Sequence, residues 1–280
     1  MYNIISKQQL AQGVTRFVVS APRIAKNAKP GQFVILRLND KGERIPLTIA
    51  DFDAAAGTVT VIAQETGKTT AALALLNAGD AILDMVGPLG RPTKIEKLGT
   101  VCVIAGGVGV AEIIPVAKGF KEAGNTVLGV IGARNKDLII LEAEMKNACD
   151  DLTVVTDDGS YGKKGFVTDA LAELIARQVH IDAAYAIGPV PMMKAVAALT
   201  AKYNIKTIVS LNPIMVDGTG MCGACRVSVG GKTRFACVDG PEFDAHEINW
   251  DELIARLNLF KQEEKASLEK HKAECRCPKE

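Results

Sequence analysis

The chain has 280 residues, enough for two domains of ordinary size, and 48% of its residues are hydrophobic while 23% are charged. This composition is typical of a globular protein with a sizeable core. Lys and Arg number 33 and Asp and Glu number 32, so the formal charge of +1 gives no reason to expect a nucleic acid or an anionic membrane as partner.

The first residues contain no basic segment followed by an apolar one, so we expect no signal peptide. No apolar run approaches the roughly 20 residues that a membrane-spanning helix needs. We therefore expect a cytoplasmic protein without a membrane partner.

Residues 1–98 contain short segments with strand character, separated by turns. Gln32–Leu38 and Thr58–Ala63 are rich in β-branched residues and partly alternate, and Gly-containing turns bound them. A helix is predicted at Thr69–Asn77, where Ala and Leu dominate. Closely spaced strands of this kind favour a small antiparallel barrel or sandwich.

Two polar segments of this region have the chemistry of a binding site. Pro46 lies on a predicted strand and lacks an N–H, so an edge or a bulge is expected there. Thr48 offers a hydroxyl to a flat polar ring. The turn at Gly67, Thr69 and Thr70 offers backbone N–H groups and two hydroxyls to a phosphate, although the residues alone favour an N-capped helix start over a phosphate site.

From Gly99 onward, strands alternate with helical segments, which implies a parallel sheet covered on both faces. The predicted strands are Val101–Ala105, Thr126–Ile131, Leu152–Val155, Ala183–Ile187 and Lys206–Leu211.

The first of these strands leads into Gly106, Gly107 and Gly109, after which a helix begins. Such glycines let the backbone approach a pyrophosphate, and the helix N-terminus supplies free N–H groups. A tight turn without a ligand gives the same pattern, so this loop alone leaves both interpretations open.

Three further turns follow the next strands, and ligands bind at the carboxyl ends of strands in an open α/β sheet. Together the four turns predict the rim of a dinucleotide pocket, with Met192 alternatively a core residue. The residues that we assign to the three turns are Gly132, Arg134, Asp157, Asp158, Gly188, Pro189 and Met192.

Asp157 and Asp158 bear on which nucleotide binds. A carboxylate near an adenosine ribose favours the free hydroxyls and repels a 2′-phosphate. The pair therefore favours NADH over NADPH, and Arg134 is the residue that would reverse this preference.

Seven cysteines are unevenly distributed, and three of them cluster at Cys222, Cys225 and Cys237. In a reducing cytosol such a cluster favours metal or cofactor ligation over disulfides. Two thiolates on a tight loop and one more distant thiolate suit zinc or a [2Fe–2S] cluster, and one ligand is missing. Asp217, or a cysteine of the tail (Cys275 or Cys277), would complete the set, whereas Asp217 before a glycine is also a common turn former.

The rest of the chain is less informative. Residues 213–245 contain Arg226–Val229 as the one plausible strand, and residues from Trp250 onward read as one or two helices that become strongly charged. A charge run of this kind is usually a solvated helix face.

The order of these motifs resembles the ferredoxin-reductase-type flavoproteins: a barrel, a Pro-Leu-Thr strand, a Gly-x-Thr-Thr turn and then a Gly-Gly-x-Gly nucleotide domain. The resemblance implies a flavin between the domains, with FAD favoured over FMN. It assigns flavin contacts to Arg44, Pro46, Leu47, Thr48, Ile62, Ala63, Gly67, Thr69 and Thr70.

Two positions depart from the pattern of that family. Its strand usually carries an arginine three residues before the Ser/Thr, where this chain has Ile45 and Arg44 stands one residue earlier. A proline often follows the last motif glycine, where this chain has Glu112.

Over nearly its full length the chain resembles the electron-transfer subunits of the dihydroorotate dehydrogenase type, which carry a cysteine where this chain has Asp217. The run Asp-Gly-Thr-Gly-Met-Cys-Gly-x-Cys resembles still more closely the small subunits of NADH-dependent ferredoxin:NADP oxidoreductases, which perform electron bifurcation. That resemblance implies Asp217 as the fourth ligand of a [2Fe–2S] cluster.

The predicted architecture is an antiparallel flavin-binding barrel (residues 1–98), an α/β NAD(P)-binding domain (99–212), a [2Fe–2S] subdomain (213–245) and a charged helical tail (246–280). The predicted function is oxidation of NADH at FAD, with single electrons passing through the cluster.

The resemblance implies a larger flavin and iron–sulfur subunit as partner, in a heterodimer or larger assembly, and indirectly ferredoxin and NADP(H). Two alternatives stay open, namely a dihydroorotate dehydrogenase partner and a redox-sensing module without turnover. No Ser-His-Asp or Cys-His arrangement is present to suggest a catalytic residue of another kind.

Overall fold

The N-terminal third of the chain is an antiparallel seven-stranded sheet curved into a nearly closed barrel, with the strand order β6-β1-β2-β5-β4-β3-β7. The computed structural model describes the backbone of residues 1–276 and the side chains up to residue 274. The elements of the barrel are β1 (Tyr2–Ala11), β2 (Val14–Ser20), α1 (Pro22–Ala25), β3 (Phe33–Arg37), β4 (Ile45–Asp53), β5 (Thr58–Gln64), α2 (Lys68–Leu75), β6 (Ala81–Ile82) and β7 (Asp84–Leu89).

Pro46 confirms the expectation of an edge or bulge. Residues 45–48 of β4 pair only with β3, and the pairing of β4 with β5 begins at Ile49 and shifts register before Asp51. The first half of β4 is therefore open on one side, where a proline costs no hydrogen bond.

The second part of the chain is a seven-stranded sheet in the order β11-β10-β9-β8-β12-β13-β16, where β16 is Glu242–Asp244, and it is parallel except for this last strand. Its elements up to residue 210 are β8 (Thr100–Gly106), α3 (Gly109–Glu122), β9 (Thr126–Ala133), a 3-10 turn (Lys136–Leu138), α4 (Glu142–Ala148), β10 (Asp151–Thr156), β11 (Lys163–Lys164), α5 (Val167–Ala176), β12 (Ala183–Ile187), α6 (Val190–Ala201) and β13 (Lys206–Ser210).

Strand β8 shows why this sheet has continuous apolar runs. Cys102 and Ile104 belong to the core cluster on one face, and Val101, Val103 and Ala105 belong to the cluster on the other face. A strand covered on both faces buries every side chain, so its sequence does not alternate. The prediction of a parallel sheet covered on both faces is confirmed.

The cysteine-bearing part continues the chain after β13. Its elements are β14 (Arg226–Val229), β15 (Lys232–Phe235), α7 (Ala236–Asp239), β16 (Glu242–Asp244), α8 (Trp250–Leu257) and α9 (Lys261–Arg276). The expectation of a single strand here was wrong, because β15 pairs with β14 and β16 extends the parallel sheet. Residues 232–234 are exposed and polar, and β16 has only three residues, so neither strand carries an apolar pattern.

The C-terminal segment forms the helices α8 and α9, as predicted, and α9 lies against α2 with most of its described surface exposed. Among the described residues, no helix combines the length and the hydropathy that a bilayer-crossing segment requires.

Candidate functional site

The carboxyl ends of the parallel strands enclose a cavity of about 500 Å³, which we call the edge cavity. This is the place that the strand topology predicts for a ligand. Of the residues predicted from the four turns, the edge cavity is lined by Gly106, Gly107, Gly132, Arg134, Asp157, Pro189 and Met192.

Gly109 shows why glycine is needed where α3 begins. A Cβ atom at this position would lie 2.4 Å from the carbonyl oxygen of Ile187, a contact that backbone atoms cannot relieve by rotating a side chain. The absence of the side chain lets the first turn of α3 approach the end of β12. The helix N-terminus therefore faces the gap between β8 and β12.

The two consecutive aspartates that follow β10, Asp157 and Asp158, have different surroundings. Asp157 lines the edge cavity, whereas Asp158 does not. The Asp158 carboxylate accepts hydrogen bonds from the Ser160 N–H at 2.9 Å and from the Ser160 hydroxyl at 2.7 Å. These bonds lower the pKa of Asp158, so its carboxylate belongs to the local turn.

A second cavity of about 340 Å³, the barrel cavity, opens beside the unpaired half of β4. Its wall is formed jointly by the barrel, by α3 and by residues after β13. Predicted flavin contacts that line it are Pro46, Leu47, Thr48, Ile62 and Thr70, and further wall residues include Phe33, Gln64, Glu112, Ser210, Asn212, Met215 and Pro241.

The turn before α2 has the hydrogen bonds of a helix start. The Thr70 hydroxyl accepts from the backbone N–H groups of Thr66 and Gly67, both at 3.0 Å. The Thr69 hydroxyl donates to the Glu43 carboxylate at 2.7 Å. The interpretation as a capped helix start is thus confirmed, and Arg44, Ala63, Gly67 and Thr69 lie outside the wall of the barrel cavity.

A smaller cavity of about 190 Å³, the loop cavity, lies between the other two and shares wall residues with both. It brings Gly109 and Gly188 to the same site as the other predicted glycines. Its wall consists of Gln64, Gly106, Gly107, Val108, Gly109, Glu112, Ile187, Gly188, Pro189, Ser210 and Asn212.

The sequence did not predict the polar wall residues Gln64, Thr66, Glu112, Ser210 and Asn212 as part of a site. Ser210 ends β13 and Asn212 follows it, so the rule that ligands bind at the carboxyl ends of strands would have found both. Gln64 ends a barrel strand and Glu112 lies on a helix, and only the approach of the two domains brings them together.

Glu112 has a titration behaviour unlike that of an exposed carboxyl. Desolvation raises its pKa to about 7, and a hydrogen bond with Thr48 opposes part of this rise. Desolvation therefore keeps this carboxyl neutral to a higher pH than it would keep an exposed one.

The cysteine loop connects residue 217 to residue 225. Cys225 and Cys237 are buried, and the Cys225 thiol donates to the Cys237 sulfur at 3.2 Å. Cys222 is exposed, and its backbone N–H donates to the Asp217 carboxylate at 3.0 Å. Asp217 also accepts from the Thr219 N–H at 2.8 Å, and these bonds lower its pKa.

These donors fit an iron–sulfur cluster in chemistry. Two sulfurs are already adjacent, and Asp217 is held ionised next to Cys222 on the same loop. Desolvation raises the pKa of Cys237 to about 12, so deprotonation of this thiol would require the charge of a bound metal. Within the described side chains, no three His, Cys, Asp or Glu residues already stand as a preformed metal site, and Cys275 and Cys277 lie outside those side chains.

The cysteine loop packs directly on the barrel. A Cβ atom on Gly218, whose φ is +78°, would lie 2.6 Å from Leu89 Cδ1 and 2.8 Å from Ile35 Cδ1. Met215 and Pro241, on either side of the cysteines in the chain, line the barrel cavity. The candidate cluster site and the candidate flavin site are therefore neighbours.

Two families match parts of the chain. Residues 103–198 match the oxidoreductase NAD-binding domain, and residues 212–249 match the iron–sulfur cluster binding domain of dihydroorotate dehydrogenase B. The fold is also that of phthalate dioxygenase reductase, with a TM-score of 0.57 and 14% identity over 81% of this chain and 85% of that one. Fold and domains together define an oxidoreductase of the ferredoxin-reductase type.

Full-length relatives narrow this class. A Thermotoga maritima homolog of the electron-transfer subunit of dihydroorotate dehydrogenase B (NAD+) is 50% identical over 95% of this chain and 94% of its own length. The corresponding subunit of Bacillus velezensis is 35% identical over 87% of this chain and 96% of its own length. The chain belongs to the family of dihydroorotate dehydrogenase B electron-transfer subunits.

One solved structure is similar over almost the whole chain. It is a chain of the NADH-dependent reduced ferredoxin-NADP oxidoreductase, with 48% identity, a TM-score of 0.92 and coverage of 96% of this chain and 97% of that one. The predicted fold class and oxidoreductase assignment are confirmed, and so are the cofactor types FAD, iron–sulfur and NAD(H). The iron–sulfur interpretation of the cysteines is confirmed, and the zinc alternative is not supported.

Proposed function

We propose that this chain oxidises NADH at FAD and passes single electrons through a [2Fe–2S] cluster to a larger partner subunit. The observation that carries this proposal is the row of three cavities, which share wall residues from the nucleotide loop to Thr48 and end beside the cysteine loop. A bound flavin supplies the chemistry that connects a two-electron donor to one-electron acceptors.

The residues of the edge and loop cavities would bind NADH. The Gly106–Gly109 turn leaves room for the pyrophosphate, and Asp157 would face the adenosine ribose. The nicotinamide would then lie toward the loop cavity, where polar groups come from Gln64, Glu112, Ser210 and Asn212 and the rest of the wall is Gly, Val, Ile and Pro. These groups orient the ring and limit the water around it.

The barrel cavity would bind the flavin ring. Thr48 and Glu112 supply its polar contacts, while Ile62, Leu47 and Met215 supply apolar surface. The unpaired half of β4 leaves backbone groups facing this cavity, which suits the polar edge of a flat ring.

Asp217, Cys222, Cys225 and Cys237 would hold the cluster. The Asp217 carboxylate is a harder ligand than thiolate, so the cluster potential should differ from that of an all-cysteine site. Around this loop, Met221 is 88% exposed and Val216 and Val238 are also exposed, which supports docking of another protein at the cluster.

The choice of partner is supported by the 48% identical structure, whose enzyme is a ferredoxin-NADP oxidoreductase associated with flavin-based electron bifurcation. We therefore propose a larger flavin and iron–sulfur subunit that uses ferredoxin and NADP(H). A dihydroorotate dehydrogenase partner is the second candidate, favoured by the 35% identical subunit of that enzyme.

An anaerobic NADH titration of the FAD- and iron-loaded chain tests the proposal. We expect the flavin absorbance to bleach first and the cluster signal in electron paramagnetic resonance to appear next. Unchanged flavin absorbance would contradict the proposed electron transfer from NADH and would favour a redox-sensing module. Capture of the partner from the source cell under anaerobic conditions, followed by orotate and NADP(H) assays, separates the two candidate assemblies.

The ligand set has its own test. Asp217→Cys should keep a cluster and change its potential and spectrum, because a thiolate replaces a carboxylate. Cys102→Ala, which removes a buried thiol of β8, is the control and should keep both unchanged. An Asp217→Cys protein with an unaltered cluster would show that Asp217 is no ligand.

A further inference from the structure

Glu112 occupies the junction of the barrel and loop cavities. It lies in the first turn of α3, three residues after Gly109, and its side chain lines both cavities. Its carboxyl is hydrogen-bonded with Thr48, a barrel residue, although the two belong to different domains. The pair therefore connects the predicted nicotinamide side to the predicted flavin side of the site.

No other ionisable side chain lines these two cavities among the described residues. Five elements pack on α3, namely β4, β8, β9, β12 and α4. Strands β8 and β9 carry no charged residue, and the titratable residue of β12 is Tyr185. The ionisable residues of β4 and α4 line neither the barrel cavity nor the loop cavity. Those on β4 and α4 are Asp51, Asp53, Glu142, Glu144 and Lys146.

The local forces on Glu112 oppose one another. Desolvation favours the neutral acid and raises the pKa to about 7, while the Thr48 hydroxyl favours the carboxylate. The N-terminal end of α3 also favours the carboxylate. The result is a group that gains and loses a proton near neutral pH, as a proton-transfer residue must.

We propose that Glu112 is the proton-transfer residue of this site, the group through which the proton released by NADH oxidation leaves the barrel and loop cavities. The inference rests on the proposed function. NADH oxidation breaks one C–H bond and yields NAD+, one proton and two electrons. The electrons leave one at a time to an iron–sulfur protein acceptor, the Glu112 carboxylate takes the proton to become the acid, and the acid then releases it to water.

Glu112→Gln tests this inference, because glutamine keeps the shape and the hydrogen bond to Thr48 but cannot accept a proton. In a stopped-flow experiment, the FAD-loaded chain is mixed with NADH and ferricyanide, and a pH indicator reports proton release. We expect release to slow by about ten-fold or more, with flavin bleaching affected less. Glu112→Asp should restore much of the rate.

A second measurement needs no turnover. Carboxyl carbons labelled with ¹³C should show two titrations near pH 7 in the wild-type chain, and Glu112→Gln should lose one of them and keep the other. Glu242→Gln is the matched control, since desolvation also raises the pKa of Glu242 to about 7 and this residue lines neither cavity.

These measurements distinguish failure of the Glu112 inference from failure of the proposed function. If NADH bleaches the wild-type flavin, and Glu112→Gln releases protons at the wild-type rate with the wild-type pH profile, the inference is wrong and the proposed function stands. If NADH leaves the wild-type flavin unreduced, both are wrong. Loss of the pH profile in Glu242→Gln but not in Glu112→Gln would also overturn the inference.

Discussion

Asp157 and Asp158 are neighbours in sequence, yet only Asp157 lines the edge cavity. We expect Asp157→Asn to weaken the preference for NADH over NADPH by about ten-fold, roughly 1.4 kcal/mol, because it removes the charge that repels a 2′-phosphate. The ratio of kcat/KM values for the two nucleotides measures this effect.

Asp158→Asn is the matched control for the nucleotide preference. The Asp158 carboxylate is already bound by Ser160, so its loss should weaken the turn slightly and leave the preference unchanged. An equal effect from both substitutions would show that general electrostatics, rather than contact with the ribose, sets the preference.

Gly109 provides a prediction about packing. Gly109→Ala would place a Cβ atom 2.4 Å from the Ile187 carbonyl oxygen, so α3 must shift away from β12. We expect the free energy of unfolding to fall by about 1–3 kcal/mol, measured by urea denaturation, with weaker NADH binding by calorimetry. Gly67→Ala is the control, because that Cβ atom would meet nothing within 4 Å, and a comparable loss there would refute the steric argument.

At the scale of elements, the sequence predicts those structural features that are determined by residues within the same segment. Pro46 lacks an N–H and so predicts an unpaired strand half, and the apolar run 101–105 predicts a strand covered on both faces. β16 has three residues and is a strand only because β13 offers a free edge. Glu112 joins the site only because α3 packs against β4, and a contact between domains leaves no periodic signal in either segment.

Strand β16 provides a prediction about pH. It positions Glu242, whose carboxyl accepts a hydrogen bond from the Thr93 hydroxyl in the connection between barrel and sheet at 2.5 Å. Desolvation raises the pKa of Glu242 from 4.5 to about 7. The folded state therefore keeps the proton where the unfolded chain has lost it, so this contribution is complete below about 4.5 and is lost as the pH rises through about 7.

We expect the wild-type free energy of unfolding, relative to that of Glu242→Gln, to fall by about 2 kcal/mol between pH 5 and pH 8. Urea denaturation at fixed FAD concentration measures the difference. Glu122→Gln, at an exposed position of α3, is the control and should follow the wild-type curve. A parallel pH dependence of wild type and Glu242→Gln would place the effect elsewhere.

At the scale of the whole molecule, the barrel cavity is built by three parts of the chain. Thr48 comes from the barrel, Glu112 from the nucleotide-binding domain, and Met215 and Pro241 from the segments around the cysteine loop. A ligand that contacts all three parts stabilises each of them in its folded position by its binding free energy. FAD should therefore act as a structural link between the domains as well as a redox group.

This link gives the last prediction. FAD at one hundred times its Kd should raise the free energy of unfolding by about 2.7 kcal/mol, and hydrogen exchange should slow together in residues 45–48 and 210–215. ADP-ribose, which would occupy the edge cavity, should protect residues 106–109 and 132–134 and leave residues 45–48 exchanging as before, because β4 contributes nothing to that wall. Protection confined to residues 45–48 with FAD would mean that the flavin binds the barrel alone. In that case the shared wall of Glu112, Ser210 and Met215 would not be part of the flavin site.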